Sequence, residues 1–198
     1  MTKVVGITGG IGSGKTTITE YLRKKGFSTH ESDLVVSKIY KRPTKSFISF
    51  LIKNISKDVV RKNKINKKKI TNLVFKNDKI RKILEGHVHN IVKKSRDNFI
   101  KKNRKNKKGA IFIDIPLLFE NGIEKELDLV LCVVANKNIR AKRVLKSKKF
   151  TKENLLKIFK LQASDKERKE KSDIIIYNNN TKKDFIFSIE KALIDIIK

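Results

Sequence analysis

Apolar positions along this chain follow two rhythms, and the points where one gives way to the other divide it into elements. Residues 4–8 are a short β-branched run that stops at a glycine cluster, and Ile18, Tyr21 and Leu22 follow at the spacing of a helix over 15–25. A second strand is predicted over 27–30, after Gly26. From 34 to 108 the spacing is helical throughout, with Ile80, Ile83, Leu84, Val88, Ile91, Val92 and Phe99 tracing one long stretch. Strands return at 110–115, which ends at Pro116, then at 129–134 and 173–177. Between the last two, 138–148 and 151–171 read as charged helices, with Thr151 and Asn154 as a weak capping signal. An amphipathic helix over 184–197 follows, with Ser188 and Glu190 on its exposed face.

Runs that are apolar on both faces suit parallel strands covered by helices on each side. The order therefore predicts an α/β fold, a parallel five-stranded sheet with helices on both faces, with ligands beyond the carboxyl ends of the strands. Roughly seventy residues between the second and third strands exceed any ordinary connection and predict a helical lobe inserted after the second strand. The chain has only two prolines, Pro43 and Pro116, and hence no proline-rich linker to tether that lobe as a separate domain.

Composition narrows the class. The length of 198 residues fits one domain or a compact two-lobed enzyme, and 38% hydrophobic residues suffice for a core. One cysteine, Cys132, excludes an internal disulfide and a cysteine zinc cluster, and it lies in an apolar strand as an inert buried thiol. No apolar run reaches membrane-spanning length, and the start resembles no signal peptide, so a soluble cytoplasmic protein is expected. The formal net charge of +29 draws attention to nucleic acids and anionic membranes. Its densest stretch, 94–108 with Lys101-Lys102-Asn103-Arg104-Lys105-Asn106-Lys107-Lys108, has no interleaved aromatics for base stacking and reads as a solvated helix end and loop. Neither partner is expected.

The glycine cluster carries the chemistry. Gly9-Gly10-Ile11-Gly12-Ser13-Gly14-Lys15-Thr16 matches G-x-x-x-x-G-K-[ST] between a predicted strand and a predicted helix. Such a loop turns its amides around phosphates, at the positive end of the helix dipole. Gly10, Ile11, Gly12, Ser13, Gly14, Lys15, Thr16 and Thr17 are the candidate nucleotide-phosphate-binding residues of a GTPase, a motor-like ATPase or a small-molecule kinase, with Lys15 reaching the β and γ phosphates and the Thr16 hydroxyl a ligand for Mg²⁺. Asn136-Lys137-Asn138-Ile139 lacks the aspartate of a guanine-reading N-K-x-D element, which argues against a GTPase. Glu31-Ser32-Asp33 follows the second strand and offers two carboxylates. Asp33 either accepts the proton of an attacking hydroxyl or caps a helix starting at Leu34.

Taken together these pieces resemble the dephospho-coenzyme A kinase family. Ile7-Thr8-Gly9-Gly10-Ile11-Gly12-Ser13-Gly14-Lys15-Thr16 is similar to its opening motif. Glu31-Ser32-Asp33 stands at its D-A-D, and Asp114-Ile115-Pro116-Leu117-Leu118-Phe119-Glu120 resembles its D-[IV]-P-L-L-[FY]-E segment. Gln162, Arg168, Asp173, Ile175, Ile176 and Asn178 are similar to its Q…R…AD-x-VI-x-N ending. The resemblance implies a P-loop kinase that transfers the γ-phosphate of ATP to the ribose 3′-hydroxyl of dephospho-coenzyme A, as a monomer or weak homo-oligomer. It implies a nucleotide-binding core of 1–33, 109–137 and 172–198, a helical substrate lobe over 34–108, and a lid over 138–171.

By the same resemblance Asp33, Lys15 and Arg143 are catalytic, with Asp33 the base and Arg143 a lid arginine on the phosphates. Glu31, Asp33, His89, Pro116, Leu117 and Leu118 contact the acceptor, and Glu120 holds its loop. Arg140 is a second lid arginine and Arg168 a lid or adenine-side candidate. Several positions depart from the pattern: Glu31 for aspartate, Asn90 for proline, Lys67 and Ser147 for arginines, with Lys146 or Lys148 as substitutes beside Ser147. The alternatives are another small P-loop kinase acting on a nucleotide, nucleoside or sugar alcohol, and a nucleic-acid-binding ATPase.

Overall fold

A computed structural model describes residues 2–105, 107–148 and 150–198. Asn106 of the basic run and Lys149 of the 138–171 segment lie outside the described residues. The chain divides into two compact units, 1–31 with 99–198, and 32–98.

In the first unit β1 (Lys3–Thr8), β2 (Thr29–Glu31), β5 (Ala110–Asp114), β6 (Leu129–Val134) and β7 (Ile174–Tyr177) form one sheet in the order β2-β5-β1-β6-β7, every pair parallel. Its strands alternate between two cores. Val5, Ile7, Phe112, Leu131, Val133 and Ile176 pack with Ile18 and Leu22 of α1 (Lys15–Lys24) and with Phe185, Ile189, Leu193 and Ile196 of α9 (Lys182–Ile197). Val4, Ile113 and Val130 point the other way, onto Ile115, Leu118, Phe119, Ile123, Leu127, Phe99 and Ile100. Burial on both faces is why these strands read as apolar runs. The second strand begins two residues later than its pattern suggested, because Phe27 leaves the ladder to pack edge-on against Phe112.

The second unit contains α2 (Ser32–Lys41), α3 (Lys45–Asn54), α4 (Lys67–Lys76) and most of α5 (Asp78–Asn103) around Phe47, Leu51, Val59, Ile70, Leu84 and Val88. The expectation of helix throughout 34–108 fails past Asn103, where α5 ends, and over 60–65, where β3 (Val60–Arg61) and β4 (Lys64–Ile65) form a hairpin. Lys62 and Asn63 both have positive φ, 48° and 59°, as a two-residue primed turn requires. The unit ends at 98 rather than 108, since Phe99 and Ile100 join the core of the first unit.

Residues 138–171 fold within the first unit as α6 (Lys137–Lys146), α7 (Lys152–Leu161) and α8 (Asp165–Glu170). The stretch expected as one helix breaks at 162–164, where the Ser164 hydroxyl accepts from the Glu167 amide and starts α8 afresh. Thr151 caps α7 in the same way through the Asn154 amide. At α9, Thr181 and Asp184 form a reciprocal capping box. Thr181→Ala is expected to cost about 1 kcal/mol, measured as a lower urea midpoint at unchanged slope. An unmoved midpoint would mean that burial of Phe185 and Ile189 alone holds the helix start.

Candidate active site

Between β1 and α1 the backbone turns through three glycines of positive φ: Gly9 at 147°, Gly12 at 76° and Gly14 at 117°. Gly9 has a second constraint, since a Cβ there would lie 2.4 Å from the Val133 carbonyl oxygen on β6. The turn delivers the chain to α1 with Gly14 as N-cap and with no acidic residue in the first helical turn, so the helix dipole is left for an anion. Lys15 Nζ donates to the Gly9 carbonyl at 2.8 Å, which folds its ammonium back over the loop. Thr16 is exposed, and Ser13 contributes backbone only, its side chain being fully buried.

Asn178, just past β7, braces this loop. Its Nδ2 donates to the Ser13 carbonyl at 2.7 Å, and its Oδ1 accepts from Arg143 Nη2 at 3.3 Å. Arg143 therefore stands at a cleft of about 280 Å³ that also includes Gly14, Thr17, Asn178, Lys182 and Phe185. Sequence pattern gives Asn178 no role, because its bond to Ser13 joins residues 165 positions apart.

Two carboxylates end neighbouring strands beside the loop. Glu31 of β2 pairs in register with Asp114 of β5, and Asp114 in turn with Ile7 of β1. Glu31 is tied by an ion pair to Arg23 of α1. The motif around Asp114 gives it no role by itself; its register beside Ile7 is the signal that marks it. Carboxylate and hydroxyl oxygens, such as those of Asp114, Glu31 and the exposed Thr16, are hard donors of the kind that suits Mg²⁺.

Asp33 belongs to the second unit, exposed in the first turn of α2. That helix starts at Ser32, so Asp33 is not the N-cap of a helix starting at Leu34. On α5, His89 is exposed, whereas His87 stacks on Phe50 with ring centres 3.6 Å apart and belongs to the packing. In the segment after β5, Pro116 is half-buried and Leu117 is 41% exposed. Leu118 corrects the expectation: at 0% exposure it is a core residue packed with Ile113 and Val130, and it offers no side-chain surface to an acceptor.

The other two candidate arginines are held by partners within this unit. Arg140 and Arg168 are buried. Arg140 Nε donates to the Ala135 carbonyl at 2.9 Å, and its Nη2 to Asp165 at 2.8 Å. Burial pulls the Arg140 guanidinium below its ordinary pKa, which the neighbouring Asp165 charge opposes and the Arg168 charge reinforces. Glu120 Oε1 accepts from the Ala163 amide at 2.7 Å and lies 3.5 Å from Arg168 Nη2, so it holds the 162–164 loop. Gln162 reaches the phosphate loop itself, its Oε1 accepting from the Ile11 amide at 3.0 Å. Burial also pushes the Cys132 thiol up, which keeps it protonated and unreactive.

Known proteins align with this arrangement along nearly its whole length. The family model for dephospho-CoA kinase matches residues 3–184. The chain is 34% identical over 190 residues to the dephospho-CoA kinase of Fusobacterium nucleatum, covering 95% of both chains. It is 30% identical over 198 residues to that of Oceanobacillus iheyensis, covering 98% of this chain and 97% of the other. Among solved structures, the dephospho-CoA kinase from Campylobacter jejuni superposes with a TM-score of 0.73 at 28% identity, covering 99% of this chain and 98% of that one. A loop built to take phosphates, on a parallel sheet of this order and within a chain matched from residue 3 to residue 184, leaves one assignment: the chain belongs to the dephospho-CoA kinase family.

Proposed function

We propose that this protein transfers the γ-phosphate of ATP to the ribose 3′-hydroxyl of dephospho-coenzyme A, giving coenzyme A and ADP. The observation that carries the reading is the phosphate loop of Gly9 to Thr16, preformed by glycines and lysine, in a chain that matches the family over residues 3–184. Its amides and Lys15 take the β and γ phosphates, and the cleft at Gly14, Thr17, Arg143 and Asn178 takes the base. Thr16, with Asp114 and Glu31, would hold Mg²⁺, which would neutralise charge on the phosphate oxygens.

Asp33 accepts the proton of the 3′-hydroxyl as its oxygen bonds to the γ-phosphorus and the bond to ADP breaks. Arg143, which lines the same cleft as Gly14, supports the charge that develops on the phosphates. Pro116, Leu117 and His89 keep their roles toward the acceptor, and the basic unit 32–98 accommodates its anionic groups. Residues 138–171 act as the lid that excludes water, so that the alcohol rather than water is phosphorylated.

No helix among the described residues is long and apolar enough to cross a membrane. We place the enzyme in the cytoplasm, working as a monomer or weak homo-oligomer without nucleic acid. The test is product identification after mixing the protein with ATP, Mg²⁺ and dephospho-coenzyme A, beside a panel of other nucleotides, nucleosides and sugar alcohols. Coenzyme A and ADP in equal amounts are expected. Turnover of another alcohol alone overturns the substrate, and ATP turnover raised only by DNA or RNA overturns the reaction class.

A further inference from the structure

Two buried cations and one carboxylate meet at the shoulder of the phosphate loop. Arg140 and Arg168 are 5% and 2% exposed, and they come from α6 and α8. Asp165 joins them: Oδ2 accepts from Arg140 Nη2 at 2.8 Å, and Oδ1 lies 3.3 Å from Arg168 Nη1. The remaining Arg140 terminal nitrogen occupies the space in front of Gly10. A Cβ on Gly10 would lie 2.1 Å from Arg140 Nη1 and 3.3 Å from Arg168 Nη1. Arg140 has little freedom to give way, because the Ala135 carbonyl and Asp165 hold its other two nitrogens.

Next along the loop, the Ile11 amide is held by Gln162, three residues before Asp165. The segment 162–168 thus supports the loop at two consecutive residues, once through an amide and once through the guanidinium pair. Two buried guanidiniums side by side repel strongly at low local dielectric unless an anion joins them. Glu120 reaches Arg168 alone, at 3.5 Å, so among the described residues only Asp165 pairs with both. With that charge removed, the pair separates or draws in water, and Gly10 loses its backing. Amides that cradle a phosphate tolerate shifts of only a fraction of an ångström before affinity falls.

We propose that Asp165 is a positioning residue of the phosphate loop, a carboxylate that joins the guanidiniums of Arg140 and Arg168 where they pack on Gly10 and so presets the loop for a triphosphate. This rests on the loop being the ATP site. Asp165 itself touches no phosphate; it acts through the two arginines.

The test is MgATP affinity by titration calorimetry on the full-length protein, with no acceptor present. Asp165→Asn is expected to raise the Kd for MgATP about tenfold, while Asp165→Glu stays within about threefold of wild type. The Asp165 side chain is 37% exposed, so formate can reach its place, and formate is expected to restore MgATP affinity to Asp165→Ala and to leave wild type unchanged. A merely structural aspartate would show neither response.

Asp165→Asn binding MgATP as wild type does, Asp165→Glu binding as weakly as Asp165→Asn, or Asp165→Ala ignoring formate each overturns the proposal. Should Asp165→Asn not fold, Arg140→Met combined with Asp165→Asn removes one of the two cations and is expected to fold; failure of that double variant overturns the proposal as well. Wild type that binds MgATP yet leaves dephospho-coenzyme A unchanged refutes the proposed reaction and leaves the role of Asp165 standing. Wild type that binds no MgATP refutes the reading of the loop before any variant is compared.

Discussion

Lys15→Ala is expected to lower kcat at least about a hundredfold, the scale of losing one preorganised electrostatic contact to a transferring group. The size follows from where the ammonium already is. Its bond to the Gly9 carbonyl holds the charge over the loop before any nucleotide arrives, so little reorganisation is needed during transfer. Alanine keeps the helical propensity of the first position of α1 and empties no core, since Lys15 is only half-buried. Loss of activity without loss of melting temperature is therefore the expected pattern, read by ADP release beside a thermal melt. A variant retaining more than a tenth of wild-type kcat would remove Lys15 from the transition state and leave it a loop brace.

Asp33→Asn is expected to cost kcat a similar factor, at least about a hundredfold, the upper part of the range for a lost general base. Asparagine has nearly the same shape and keeps the hydrogen-bonding capacity, but it cannot take a proton from the ribose hydroxyl. The structural side effect is small, because Asp33 is exposed and its charge at the α2 N-terminus is worth under about 1 kcal/mol. MgATP affinity and slow ATP hydrolysis by water are expected to persist, which separates this loss from that of Lys15→Ala. Preserved transfer to dephospho-coenzyme A in Asp33→Asn would reduce the residue to favourable charge on a helix dipole.

The third large effect, at Asp165, is of a different origin and is not visible along the chain. Lys15 is readable because its motif is local: the loop, its glycines and its lysine lie within eight residues, and backbone geometry alone makes them a phosphate site. Asp165 sits in a charged helical pattern among Lys166, Glu167, Lys169 and Glu170, where nothing distinguishes it from a solvated face. Its partners are 25 and 3 positions away, and its effect falls on a glycine 155 positions away.

The same contrast runs through the acceptor segment. Pro116, Leu117 and Leu118 are three consecutive apolar residues, and no pattern tells which of them faces inward. Packing decides: Leu118 enters the core with Ile113 and Val130, and Leu117 is left at the surface. The hairpin at residues 60–65 is a further case. Lys62-Asn63 is a poor turn signal beside Asn-Gly, and the surrounding lysines read equally well as helix; packing selects the hairpin, with Val60 and Ile65 of its two strands set against the core of Phe47, Leu51 and Val59.

What the amino-acid order determined by itself is therefore whatever depends on neighbours in the chain. The parallel sheet was legible because strands buried on both faces must be apolar throughout, and the phosphate loop because its glycines occupy backbone conformations that other residues rarely adopt. The tertiary structure alone decided the rest: the alignment of Glu31 with Asp114, the brace from Asn178 to Ser13, and the buried arginines joined by Asp165. Those contacts depend on strand order and on charges desolvated together, and both come into being only when distant segments close on one another.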